Sequence, residues 1–176
     1  MKSFTTINSK QTQKLGELLA EEILATKKLN LSRPKQPKEV ELRKALVICL
    51  DGELGAGKTT FTQGLLKGLK IEGPYTSPTF LIMKEYCLSK GSTFKIPKVE
   101  PLAIEKVYHF DAYRVEAQDI LNLGWEEILS PPAGGSKNII IIEWADRIKE
   151  IIPADAIWIK FKWLEEDERK ITFTKY

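Results

Sequence analysis

The run Gly52-Glu53-Leu54-Gly55-Ala56-Gly57-Lys58-Thr59 constrains this chain more than any other stretch. It has the spacing G-x-x-x-x-G-K-[ST] of a phosphate-binding loop. Such a loop must gather the charge of an oxyanion without water. Glycine lets the backbone turn tightly, so that successive N–H groups point inward. Lys58 adds a cation for the terminal phosphates, Thr59 a hydroxyl for Mg²⁺, and the following helix the positive end of its dipole.

The flanks fit this reading. Ala45-Leu46-Val47-Ile48-Cys49-Leu50 is an apolar run of strand length, as for a strand covered on both faces. Behind the loop, Phe61, Leu65, Leu66 and Leu69 recur at helical spacing, and the pattern stops at Gly73-Pro74. Strand, glycine loop and helix come in the order that a nucleotide-binding α/β protein requires.

At 176 residues the chain is expected to be one domain spanning 1–176. Its 43% hydrophobic and 29% charged residues suit a soluble globular protein. Neither a membrane-spanning run nor a signal-peptide core is found in the sequence, so a cytoplasmic location without a membrane partner is expected. Cys49 and Cys87 have no metal-ligand spacing and read as buried or half-buried free thiols. The net charge of +3 is too small to establish nucleic-acid binding. Lys27, Lys28, Arg33, Lys35, Lys38, Arg43 and Lys44 make a basic segment that suits either RNA, an acidic partner or solvent.

Taken in order, residues 9–26 predict an amphipathic helix with Ser9 as its N-cap, followed by a Pro-containing loop to residue 43. After the phosphate loop and its helix, Thr76, Ser77 and Thr79 stand in a hydroxyl-bearing segment. It is either a sensor of the γ-phosphate, stiffened by Pro78, or a plain turn into a strand. Cys87 to Lys106 is a long connection, the tip of a hairpin if its flanking strands pair. The alternating stretch 106–114 carries Asp111 to its end as a candidate Mg²⁺ ligand, and contains His109, the chain's one histidine. A lone histidine is more often a packed or hydrogen-bonded residue than a catalytic one.

Residues 117–129 predict a helix broken at Gly124, and 130–135 a loop. Asn138-Ile139-Ile140-Ile141-Ile142-Glu143-Trp144 has the pattern of a buried strand delivering a carboxylate to a metal site. Glu143 then orients a water or holds Mg²⁺; otherwise it simply ends a strand. A short helix over 146–152, stopped by Pro153, and a terminal β-hairpin complete the chain, so a mixed sheet is expected.

With these motifs placed, the chain resembles the TsaE (formerly YjeE) family, small ATPases of bacterial tRNA threonylcarbamoyladenosine synthesis. The resemblance rests on Gly52 through Thr60 and Phe61, on Ser77-Pro78-Thr79-Phe80, on His109-Phe110-Asp111-Ala112-Tyr113-Arg114 and on Ile142-Glu143-Trp144. Leu123-Gly124-Trp125-Glu126-Glu127-Ile128 and the N-terminal helix with Thr12 add to it. It implies a phosphate-loop ATPase with a mixed sheet, using ATP and Mg²⁺ to support turnover of a TsaD–TsaB transfer complex, with tRNA reached through that complex. By motif position, Gly52 to Thr60 and Thr12 would contact the nucleotide, with Lys58 on the phosphates and Thr59 on the metal. Ser77 and Thr79 would form a switch, Asp111 and Glu143 would serve the metal and the attacking water, and His109 and Trp144 would support them. Ala112 stands where the family usually has a larger apolar residue, which would loosen local packing. The segments 27–44 and 87–106 are longer than the resemblance leads one to expect.

Two other functions fit a phosphate loop. A small-molecule kinase would need a second charge-neutralising cluster, and the five arginines Arg33, Arg43, Arg114, Arg147 and Arg169 form none in the sequence. An ATP-gated switch without useful catalysis would need only the loop and a responsive segment. A GTPase would need the guanine-reading run Asn-Lys-x-Asp, which does not occur.

Overall fold

A computed structural model describes residues 1–25, 45–87, 104–131 and 137–174. The basic segment and most of the long connection after Cys87 lie outside the described residues. The strands are β1 (Lys2–Thr6), β2 (Leu46–Gly52), β3 (Met83–Cys87), β4 (Ile104–Asp111), β5 (Lys137–Glu143), β6 (Ile157–Trp163) and β7 (Arg169–Phe173). The helices are α1 (Ser9–Ala25), α2 (Lys58–Gly68), α3 (Ala117–Leu121) and α4 (Trp125–Leu129), with a 3₁₀ helix over Ala145–Ile151.

The strands form a single sheet in the order β1-β7-β6-β2-β5-β4-β3. Its centre, β6-β2-β5-β4, is parallel, and β3, β7 and β1 add on antiparallel. This is the expected mixed α/β sheet with a C-terminal hairpin. The strands that flank the long connection pair antiparallel, from Met83 opposite Phe110 to Cys87 opposite Lys106.

Alternation explains why the central strands read as unbroken apolar runs. Ile48, Leu50, Ile139 and Ile141 face a core completed by Leu19 and Ile23 of α1 and by Phe61, Leu65 and Leu66 of α2. Val47, Cys49, Ile140 and Ile142 face the other way, onto Ile120, Trp125, Ile128 and Ile148. Burial holds Cys49 as a thiol, its pKa pushed up to about 12. Cys87 is exposed, contrary to expectation, because it ends the edge strand β3. Among the described residues no helix is long and apolar enough to cross a membrane.

Several local features depart from expectation. The cap of α1 is Asn8, whose Oδ1 accepts the Gln11 N–H at 2.9 Å, while Gln11 Oε1 accepts the Ile7 N–H at 3.0 Å. Ser9 is the first helical residue. The short helix after Trp144 runs over Ala145–Ile151, starting one residue earlier than expected, and is a 3₁₀ helix. Gly124 does break the helix: it takes φ 82 as the cap between α3 and α4. Ala112 is fully buried in the second core, so the small side chain is enclosed rather than loosely packed.

Helices α1 and α2 approach so closely that their contact leaves no room for side chains. A Cβ on Gly64 would lie 1.9 Å from the Gln13 carbonyl oxygen, and one on Gly16 2.3 Å from that of Phe61. Gly64→Ala is therefore expected to destabilise the protein by about 3 kcal/mol. At roughly 2–4 °C per kcal/mol for a chain of this size, calorimetry will show a clear fall in Tm. An unchanged Tm would mean that the helices do not cross here.

Candidate functional site

The glycine loop joins the end of β2 to the start of α2, where four backbone N–H groups have no partner within the helix. Two glycines are required by geometry. Gly52 takes φ 151, and a Cβ there would fall 2.4 Å from the Phe161 carbonyl oxygen. Gly57 takes φ 97 as the left-handed cap of α2. Ala56 is fully buried beneath the loop, while Leu54 stands 75% exposed at its tip.

Lys58 folds back under this loop. Its ammonium donates to the carbonyls of Gly52 at 2.5 Å and Glu53 at 2.9 Å, and lies 3.6 Å from the centre of a Trp144 ring. Burial pulls its pKa below the usual lysine value, against an opposing pull from Glu143, then from Asp111, Asp146 and Asp51. Trp144 reaches this position through a left-handed backbone, φ 60, directly after β5, and Tyr113 packs against it at 4.8 Å.

The sheet register brings the two carboxylates together. Asp111 ends β4 opposite Glu143, which ends β5, and both are buried. Glu143 Oε2 accepts the Thr59 hydroxyl at 2.7 Å, and Oε1 lies 2.8 Å from His109 Nε2. Asp111 Oδ2 accepts from Ser77 at 2.9 Å and Thr79 at 2.6 Å, while Oδ1 accepts the Tyr113 N–H at 3.0 Å. Two buried like charges on facing positions repel each other unless donors or a cation offset them. Here hydroxyls, a histidine and the nearby Lys58 do so.

The hydroxyl-bearing segment is fastened at both ends. Lys84 holds the Thr76 carbonyl at 3.0 Å, and the Ile82 carbonyl accepts the Asp111 N–H at 3.0 Å. Ile82 takes φ 66, unusual for a β-branched residue, and its own N–H reaches the Pro78 carbonyl at 2.8 Å. Between these anchors Phe80 is 86% exposed, with the Arg114 guanidinium 5.4 Å from its ring centre.

Two predicted residues stand further back. Thr12 is buried with its hydroxyl 2.8 Å from that of Thr6, and its methyl lies beside the position that a Cβ on Gly57 would take. Thr60 is half-buried on α2. The remaining predicted residues, from Glu53 and Gly55 to Ser77, Thr79, Asp111 and Glu143, gather at one end of the sheet.

This set of groups is suited to an oxyanion at the helix N-terminus and a hard cation between Thr59 and the carboxylates. The threonylcarbamoyl adenosine biosynthesis protein TsaE family model matches residues 6–171. The chain belongs to the TsaE family. It is 41% identical over 128 residues to a TsaE protein of tRNA threonylcarbamoyladenosine biosynthesis from Bacillus subtilis, covering 73% of this chain and 68% of that one. A TsaE protein from Aquifex aeolicus is 34% identical over 157 residues, covering 88% and 96%. The crystal structure of Bacillus subtilis YdiB aligns over 98% of this chain and 83% of its own, with a TM-score of 0.59 and 27% identity. As a TsaE family member, the protein falls within tRNA threonylcarbamoyladenosine biosynthesis.

One residue of this TsaE site escaped the sequence reading. Arg169 donates from Nε to the Gly55 carbonyl at 3.1 Å, and from one terminal nitrogen to the carbonyls of Glu165, Glu166 and Glu168. It ties the glycine loop to the turn of the terminal hairpin. No spacing signals this, because the contact depends on where β7 docks in the sheet.

Proposed function

We propose that this TsaE protein is a cytoplasmic Mg-ATP-binding ATPase whose hydrolysis supports turnover of a TsaD–TsaB threonylcarbamoyl-transfer complex, tRNA being reached through that complex. The observation that carries the reading is the Thr59–Glu143 hydrogen bond of 2.7 Å, which links the first turn of α2 to the end of β5 beside Lys58. A threonine hydroxyl and a carboxylate are hard oxygen donors, and Mg²⁺ takes few such protein ligands, completing its shell with phosphate oxygens and water. When bound, Mg²⁺ would neutralise charge shared between the terminal phosphates.

The chain's own groups do the rest. Lys58 exchanges two loop carbonyls for phosphate oxygens, a move that its cramped, desolvated position favours. The free N–H groups of α2 hold the same oxyanion. Glu143 or Asp111 accepts a hydrogen bond from the attacking water and fixes its direction. Leu54, Phe80 and Leu81 stand exposed around this site, an apolar rim suited to a protein partner.

The test is ATP hydrolysis by the purified protein, alone and with TsaB, TsaD and tRNA added. Low basal turnover that the partners raise many-fold is expected. Absence of any response, with phosphate passed to a small molecule instead, would discard this reading.

A further inference from the structure

His109 is the chain's one histidine and is 1% exposed, and the family resemblance gives it only an unspecified supporting part. It lies on β4 two residues before Asp111, on the same face of the strand and one step deeper under the site. Its Nε2 lies 2.8 Å from Glu143 Oε1. Its Nδ1 is buried without a hydrogen-bond partner among the described residues. An unpaired buried ring nitrogen is costly in a core position that Leu or Phe could fill, so packing alone does not account for a histidine here. The unpaired nitrogen also bears on the tautomer. A bare Nδ1 is tolerated better than a buried N–H without an acceptor, and Nε2 is then left to donate.

We infer that His109 is a positioning residue: its Nε2–H holds one oxygen of Glu143 so that the other faces Thr59 and the cation site. Glu143 is a flexible side chain that must present a single oxygen to the metal or the water. It is clamped from both sides, by the Thr59 hydroxyl at 2.7 Å on Oε2 and by the imidazole on Oε1. Removing one clamp leaves Thr59 alone to set the carboxylate's orientation. A group that orients a ligating or base carboxylate in this way commonly changes activity by about 10–100-fold without touching the substrate.

This inference rests on the proposed reading of Glu143, and its test separates the two. Because the chain has one histidine, ¹⁵N labelling of imidazole gives the resonances of one ring. In the ligand-free protein Nε2 is expected to carry the hydrogen that Glu143 accepts, and Glu143→Ala should shift the Nε2 resonance. In kinetics, His109→Leu is expected to lower kcat about 10–100-fold. Its affinity for ATP without Mg²⁺, measured by calorimetry, should stay within about threefold of the parent's, since the imidazole's hydrogen bond goes to Glu143. His109→Gln, whose amide N–H can reach the same oxygen, should recover most of the lost rate at an equal melting temperature. An unprotonated Nε2, a resonance indifferent to Glu143, unchanged kcat in His109→Leu, or a Gln variant no faster than Leu would each overturn the positioning role. If the parent protein, even with its partners, hydrolyses no ATP, the ATPase reading fails and the ring-nitrogen resonances decide His109 by themselves.

Discussion

Lys58→Ala is expected to abolish ATP hydrolysis and to weaken nucleotide binding by about 3 kcal/mol, on the order of 100-fold in Kd. The direction follows from what the ammonium does in the ligand-free site. It is buried, drawn below its usual pKa by desolvation, and held by only two carbonyls and an aromatic face. A triphosphate offers stronger, charged acceptors to the same donor, so most of the lysine's value is realised only when nucleotide is bound. Alanine should therefore cost the folded protein little. It removes the packing on Trp144, worth about 1–2 kcal/mol, and also removes a desolvated charge. Isothermal calorimetry with ATP, read beside thermal unfolding, separates these effects. Unchanged affinity and turnover would sink the phosphate-loop assignment.

The glycine loop was legible because its chemistry is local: spacing, φ demands and flanking apolar runs all lie within one strand–loop–helix unit. The carboxylates were legible for a similar reason, since Asp111 and Glu143 each end a strongly patterned strand. What joins them is not local. Their pairing is a matter of register between β4 and β5, which a sequence states only by implication. That is why the Ser77 and Thr79 hydroxyls on Asp111, and the imidazole on Glu143, became visible only in three dimensions. Strand β1 went unread because an edge strand needs no hydrophobic period. Lys2 to Thr5 are exposed, and among the described strands β1 pairs with β7 alone. The Ser9 cap failed by one residue because Asn8 and Ser9 are both good caps, and only the Gln11 contacts distinguish them. Arg169 is the clearest case of a site residue fixed by topology: the loop carbonyl it binds is separated from it by almost two thirds of the chain.

Glu143→Ala is expected to retain Mg-ATP binding while hydrolysis falls by about 10²–10⁴-fold. The substitution removes an acceptor from two donors at once, the Thr59 hydroxyl and His109 Nε2, within a site where Glu143 is 2% exposed. Leaving buried donors unpaired costs about 1–3 kcal/mol, partly offset because the like charge facing Asp111 is gone. The fold should therefore survive, and Glu143→Gln, which keeps an acceptor oxygen but not the charge, checks that any lost rate is not lost structure. The same measurement divides the work between the two carboxylates. If Glu143 orients the water, its variant stays slow at saturating Mg²⁺, and the Mg²⁺ concentration for half-maximal binding does not move. If Glu143 holds the metal, that concentration rises and excess Mg²⁺ restores part of the rate. Asp111→Asn should then show the opposite behaviour, together with release of the Ser77–Thr79 segment, whose hydroxyls donate to its Oδ2. A Glu143→Ala protein that hydrolyses ATP at the parent's rate would remove this residue from the catalytic site altogether. The phosphate loop would then be left to bind nucleotide without it.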